Sequence, residues 1–256
     1  MSAHDVKLFG DQIAASRLET RFAQLKATSL LRLAIEDLYP GRIALVSSFG
    51  ADAAALLHMV AQVNTATPVV FVDTGQHFPE TLAYRDDLVE RLGLTNVIVT
   101  EPKAETVAQE DPEKFLFVSD PDRCCDIRKV RPLAEAMEGF DAWITGRKGF
   151  QSTTRATLPL FEAEGERIKV NPLVGWSSSD VLKYIADAGL PRHPLVAKGF
   201  PSIGCLPCTS PVKPGEDERA GRWRGRGKIE CGIVGLEAYG RNRFGSCHAG
   251  SADFRR

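Results

Sequence analysis

Between residues 42 and 145 the chain carries four short apolar, β-rich runs: RIALVSSF (42–49), PVVFV (68–72), NVIVT (96–100) and DAWIT (141–145). Between them lie stretches with helical spacing of apolar residues, at 52–63, 79–92 and 126–137. Strands that alternate with helices pair in parallel through right-handed crossovers. Continuous apolar runs suit strands buried on both faces. The expected fold is α/β: an open, mostly parallel, doubly wound sheet with helices on both faces. Upstream, Leu18, Phe22, Leu25, Leu30, Leu31, Leu33, Ala34 and Leu38 predict an amphipathic helix or helix pair that Pro40 and Gly41 end.

Beyond residue 146 the pattern loosens. Residues 166–173 fit a further strand. Residues 177–188 fit a helix capped by Ser177 or Ser178, with Asp180 in its first turn. From residue 200 the chain is rich in Pro and Gly. The expected organisation is therefore an α/β nucleotide-binding domain over 1–199 and an irregular, mobile C-terminal tail over 200–256. Trp223 is expected to anchor that tail by packing.

Loops at the carboxyl ends of strands in open α/β sheets bind ligands. Residues 47–54 (SSFGADAA) join the first strand to its helix, where small residues and a glycine free backbone N–H groups for an anion. Asp73-Thr74-Gly75 follows the second strand, and Gly146-Arg147-Lys148 follows the fourth. Three convergent loops indicate a nucleotide site, with Arg147, Lys148 and Arg155 at its charged end.

The six cysteines supply the second kind of chemistry. Residues 1–16 have no apolar core behind a basic start, and no run is long enough to span a membrane. A cytoplasmic location is expected, where thiols stay reduced and cysteines serve as ligands or nucleophiles. Cys124 and Cys125 are adjacent; Cys205 and Cys208 form C-x-x-C. Four thiolates fit a Cys₄ zinc site or an iron–sulfur cluster. Adjacent cysteines turn toward one zinc ion awkwardly, which favours the cluster. Arg128 and Lys129 lie within one helical turn of Cys125 and would face cluster sulfurs or a nearby anion. A fifth cysteine, Cys231, follows residues 219–228 (RAGRWRGRGK), which carry five basic residues and no acidic one. Positive charge stabilises a thiolate, the nucleophilic form, and attracts an anionic substrate.

The set SSFGAD, CCDIRK, GRKGFQSTTRA, KVNPL, GCLPC, PGEDERAGRW and KIECG resembles assimilatory adenylyl-sulfate (APS) reductase, a branch of the PAPS reductases within the wider adenosine-nucleotide α-hydrolase-like group. The likeness runs from Ser47 to Cys231. It implies that Cys124, Cys125, Cys205 and Cys208 bind a [4Fe-4S] cluster. It also implies that Cys231 attacks the sulfur of APS, expels AMP and carries a thiosulfonate, from which thioredoxin releases sulfite. Arg128, Lys129, Arg155, Arg219 and Arg222 fall at the family's anion-binding positions; Ser47, Ser48, Gly50, Asp52 and Thr74 fall at its nucleotide contacts. The chain departs from the family at Val234, where histidine is usual after E-C-G-[IL].

Two relatives of this reading use the same scaffold: a PAPS reductase, which needs extra basic contacts for a 3′-phosphate, and an ATP-dependent adenylating enzyme, which gives the E-C-G segment no purpose. A zinc module that binds RNA through its basic tail is the non-enzymatic alternative. The formal net charge of −1 argues against it. The expected partners are thus APS and thioredoxin, with no nucleic acid and no membrane, in a homo-oligomer.

Overall fold

The computed structural model describes residues 12–149 and 158–226, together with Lys228, Glu230 and Ile233. Six strands form one sheet: β1 (Ile43–Val46), β2 (Val69–Val72), β3 (Val97–Thr100), β4 (Ala142–Ile144), β5 (Phe161–Glu164) and β6 (Arg167–Val170). Their order is β3-β2-β1-β4-β6-β5. All neighbours are parallel except β5, which runs antiparallel to β6.

Alternation along the strands builds two cores. Ile43 and Leu45 of β1, with Val69 and Phe71 of β2, enter one apolar cluster; Ala44, Val70 and Val72 enter another on the opposite face. The first face is covered by α1 (Gln12–Phe22), α2 (Ala27–Arg32), α3 (Ala53–Val63) and α4 (Pro79–Leu92). The second is covered by Val130, Leu133 and Met137 from the helical segment before β4. Strands with partners on both faces must be apolar throughout, which is why these runs are continuous in the sequence.

The remaining helices are α5 (Ala104–Glu110), α6 (Leu116–Ser119), α7 (Pro121–Cys125), α8 (Arg131–Ala136) and α9 (Ser178–Asp187). The upstream helical region is a pair: α2 continues as a π-helical stretch over Leu33–Leu38. At α9 the expected cap is present in reciprocal form, with Ser177 and Asp180 bonding each other's backbone N–H. Where a helix from residue 126 was expected, the chain is already helical from Pro121. Asp120 accepts the Arg123 N–H at 2.9 Å, Pro121 starts the helix, and Asp126–Val130 forms a π-helical turn before α8. Strand β5 was not expected. Its hairpin to β6 turns through Gly165, whose φ of 59° suits a residue without Cβ. Among the described residues, no helix is long and apolar enough to cross a membrane.

The part of the C-terminal segment that is described, up to Arg226, is irregular, as expected. It is nonetheless packed on the body, with Ile203 6% and Trp223 3% exposed. The described residues around Trp223 therefore form part of the protein's compact body.

Candidate active site

The sheet order reverses at β1, which has β2 on one side and β4 on the other. Open α/β sheets bind ligands at this point, beyond the carboxyl ends of the strands. A cavity of about 280 Å³ lies there. Ser47, Ser48, Gly50 and Asp52 line it from the β1 loop, Thr74 from the β2 loop, and Gly146, Arg147 and Lys148 from the β4 loop. Within the β1 loop Phe49 adopts a left-handed backbone (φ 48°) with its ring fully buried, edge-on to Phe71 at 5.6 Å. A bulky residue holds that conformation only where its surroundings enforce it. Here the buried ring fixes the loop between Ser48 and Gly50.

Several of the cations around the cavity are held by carboxylates. Lys148 reaches Asp52 at 3.1 Å. Arg147 donates to Glu162 at 2.5 Å and to the Asn171 side-chain oxygen at 3.2 Å; that oxygen also accepts Thr145 Oγ1 at 2.5 Å. Lys169, 1% exposed, pairs with Glu164 at 2.8 Å and lies over the Trp143 ring at 5.2 Å. Burial opposes ionisation of Glu162, but the Arg147 hydrogen bond and the Lys169 charge prevail and hold its pKa below the ordinary value. Sequence reasoning missed Glu162, Lys169 and Asn171 as site supports. The available signal was the charge alternation in FEAEGERIKV, which sets Glu162 opposite Lys169 across the β5–β6 hairpin.

Arg128 and Lys129 have different surroundings. Arg128 donates Nη1 to the Thr74 carbonyl at 3.1 Å and Nη2 to Asp111 at 2.8 Å, and both partners of that ion pair are buried. Asp111 also accepts the N–H groups of Phe115 and Leu116 at 2.8 and 3.0 Å. Arg128 thus ties the cysteine helix to the β2 loop and does not line the cavity. Lys129 does line it and hydrogen-bonds Cys205.

Cys124, Cys125, Cys205 and Cys208 are all reduced and buried. Burial pushes the Cys124 thiol up to about 12, helped by Cys125 and, more weakly, by Cys205 and Cys208. Burial and Cys205 also raise Cys208. Burial acts the same way on Cys205, but the Lys129 charge, the Thr74 hydrogen bond at 3.3 Å and Arg222 outweigh it, and its pKa is lowered. Arg226 points Nη1 at Cys208 Sγ from 3.7 Å. The buried Nε of Arg128 and Nε1 of Trp223 have no hydrogen-bond partner among the described residues. Four buried thiols with cationic donors fit a soft, anionic, sulfur-ligated group in donor type and neighbourhood. Among the described residues, no three Cys, His, Asp or Glu side chains are already closed around one point.

The C-terminal segment completes the wall. Arg219, Arg222, Trp223, Glu230 and Ile233 line the cavity, and Arg219 pairs with Glu230 at 3.2 Å. Lys228 donates to the Pro121 carbonyl at 3.3 Å and pairs with Asp122, at the start of the cysteine helix. Arg155, Cys231, Val234 and Cys247 lie outside the described residues. His77 lines the cavity too; burial lowers its pKa, and it bonds the Val72 carbonyl at 3.0 Å.

The phosphoadenosine phosphosulfate reductase domain family matches residues 42–211. The adenosine 5′-phosphosulfate reductase of Chelativorans sp. is 53% identical over 230 residues, 89% of this chain and 94% of that protein. The protein of the same name from Mesorhizobium japonicum is 52% identical over 225 residues, 87% and 89% of the two chains. Among solved structures, phosphoadenylyl-sulfate reductase from Candida auris, in a phosphate complex, is similar with a TM-score of 0.68 at 27% identity, over 79% of this chain and 98% of that one.

Proposed function

The chain belongs to the phosphoadenosine phosphosulfate reductase family, and from that membership we propose that it reduces adenosine 5′-phosphosulfate to sulfite and AMP with electrons from a thioredoxin-type dithiol. The observation that carries the reading is the placement of Glu230 and Ile233. These residues flank Cys231 in the sequence, and both line the cavity formed by the β1, β2 and β4 loops. That placement supports Cys231 as the nucleophile that meets a nucleotide bound in the cavity.

The Cys231 thiolate attacks the sulfur of the substrate. The bond from sulfur to the phosphate oxygen breaks, AMP leaves with that electron pair, and Cys231 carries a thiosulfonate. The donor's first thiolate attacks the Cys231 sulfur, and sulfite leaves with the sulfur–sulfur pair. The donor's second thiol resolves the mixed disulfide, so the dithiol supplies both electrons. The nucleophile and substrate are both anions, and cations must offset their repulsion as the transition state forms. Lys129, Arg147, Lys148, Arg219 and Arg222 around the cavity support that role, and Arg155 joins them by its place in the motif. Ser47, Ser48, Gly50, Asp52 and Thr74 support the nucleotide-binding role.

Cys124, Cys125, Cys205 and Cys208 would hold a [4Fe-4S] cluster, which when bound places a charged, polarisable body beside the cavity. Lys129 and Cys205 both line the cavity, and Lys129 hydrogen-bonds the Cys205 thiol.

The test is sulfite release from adenosine 5′-phosphosulfate, with its 3′-phosphorylated analogue in parallel, using reduced thioredoxin and anaerobically purified protein whose iron has been counted. Sulfite from the first substrate, with about four irons per chain, is the expected result. Sulfite only from the 3′-phosphorylated compound would overturn the substrate assignment. Activity without iron would remove the cluster and leave the reductase reading in place.

A further inference from the structure

Gly204 precedes Cys205 on the cavity wall, and its backbone gives no reason for a glycine. Its φ lies outside the left-handed region, where a side chain would be strained. Its N–H donates to Thr209 Oγ1 at 3.2 Å, a bond any residue could make. What the position lacks is room. A Cβ built there would lie 2.2 Å from Arg222 Nη2 and 2.6 Å from its Cζ. The guanidinium therefore rests against the bare Gly204 Cα. It is also held to Trp223, with Cζ 4.5 Å from the indole centroid. A planar cation between an aromatic face and a flat backbone surface has its plane fixed.

Arg222 also differs from its neighbours in charge. Arg147, Lys148, Lys169 and Arg219 each pair with a carboxylate. Arg222 Nη1 donates to the Ile203 carbonyl at 3.3 Å, a neutral acceptor, and no carboxylate pairs with it among the described residues. A cation oriented in this way on a cavity wall is matched to an oxyanion.

We infer that Gly204 is a positioning residue: its absent side chain is the seat that holds the Arg222 guanidinium toward the anionic end of the substrate. The inference rests on the reading of the cavity as an adenosine 5′-phosphosulfate site. The clash in a Gly204→Ala variant falls on the far end of a flexible side chain. The backbone therefore keeps its path, and the guanidinium is pushed out of place.

The test is a double-mutant cycle on the full-length enzyme, with kcat, KM and Tm measured for Gly204→Ala, Arg222→Ala and the double variant. Loss of one charge-assisted contact lowers kcat/KM about tenfold. Gly204→Ala should show a loss of that size, split between kcat and KM as in Arg222→Ala, with Tm close to the parent. The double variant should be no worse than Arg222→Ala, because alanine at 204 then has nothing to displace. Parent kinetics in Gly204→Ala, or losses that multiply in the double variant, overturn the seat. If Gly204→Ala does not fold, folding of the double variant supports the seat and its failure to fold overturns it. A parent enzyme that releases no sulfite instead removes the functional reading on which the inference rests.

Discussion

Asp111 and Arg128 have side chains 2% and 7% exposed, so neither charge is compensated by water. Removal of one partner from a buried pair leaves the other uncompensated, at a cost of about 3–5 kcal/mol. Asp111→Ala should lower unfolding stability by that amount and loosen residues 115 and 116, whose N–H groups it accepts. Urea denaturation checks the first effect and amide exchange at those residues the second. An unchanged midpoint would show that the pair is dispensable. Burial opposes ionisation of Asp111, but the Leu116 N–H and Arg128 prevail, and its pKa lies below the ordinary 3.8. The contribution is therefore fully present above pH 3.8 and is lost as pH falls through the depressed value. Arg128 also shows a limit of motif reading. Its place beside the cysteines was legible in CCDIRK, but its partner Asp111 lies 17 residues upstream in a segment without periodicity. Only the fold reveals that Lys129, and not Arg128, borders the cavity. At Cys231 the prediction is chemical: Cys231→Ser should abolish sulfite release and leave substrate affinity largely intact. Lost binding with lost turnover would make Cys231 a structural residue.

At the scale of elements, the seam between α4 and the 3₁₀ turn Pro194–Lys198 depends on one neutral imidazole. His193 Nδ1 accepts the Leu195 N–H at 3.2 Å, so the ring proton is on Nε2, which donates to Thr81 Oγ1 at 3.0 Å. Protonation would put a second proton on Nδ1 and break the cap. Burial accordingly lowers the His193 pKa to about 4, against a weaker upward pull from Glu80. The unfolded chain binds this proton near pH 6.5 and the folded protein does not, so stability falls as pH drops from 6.5 toward 4. The gap amounts to about 3 kcal/mol for this group. His58 and His77 are lowered as well, so the observable is a difference. His193→Gln should lose less stability than the parent between pH 7 and pH 4.5. Equal losses would place the acid sensitivity elsewhere. The elements themselves were legible in proportion to their periodicity. Strands β1 to β4 and helices α3, α4 and α9 carry apolar repeats that tertiary packing only trimmed at the ends. Strand β5 carries two glutamates in four residues, and its pairing depends on Lys169 and Arg167 across the hairpin. Its reason for existing is therefore non-local. The start of α7 at Pro121 was signalled by Asp120 and Pro121, but the apolar spacing there is too short to mark a helix.

Across the whole molecule, the cavity draws on loops from residue 47 to residue 233, and the sheet brings them to one edge. The strand order β2-β1-β4 fixes where the β1, β2 and β4 loops meet. Residues 203–223 then close the side that the sheet leaves open, with Ile203 packed beside Ala51 and Leu195, and Trp223 beside Cys205 and Cys208. Composition alone hid this, because Pro- and Gly-rich sequence reads as a tail whether or not it is packed. The two readings make different predictions for truncation. A chain ending at residue 199 would lose Ile203, Cys205 and Trp223, all under 7% exposed, and uncover the apolar surface they bury. Burial of one such side chain contributes about 1.5–3 kcal/mol, so the loss of several would consume much of a domain's stability. A chain ending at residue 226 would lose the Lys228–Asp122 and Arg219–Glu230 pairs, the Lys228–Pro121 hydrogen bond and the Ile233 contact. It should fold with a modestly lower Tm and bind the nucleotide, yet release no sulfite, since Cys231 is gone. Equal Tm values for the two truncations would restore residues 200–226 to a detachable tail, and the cavity would then need another wall.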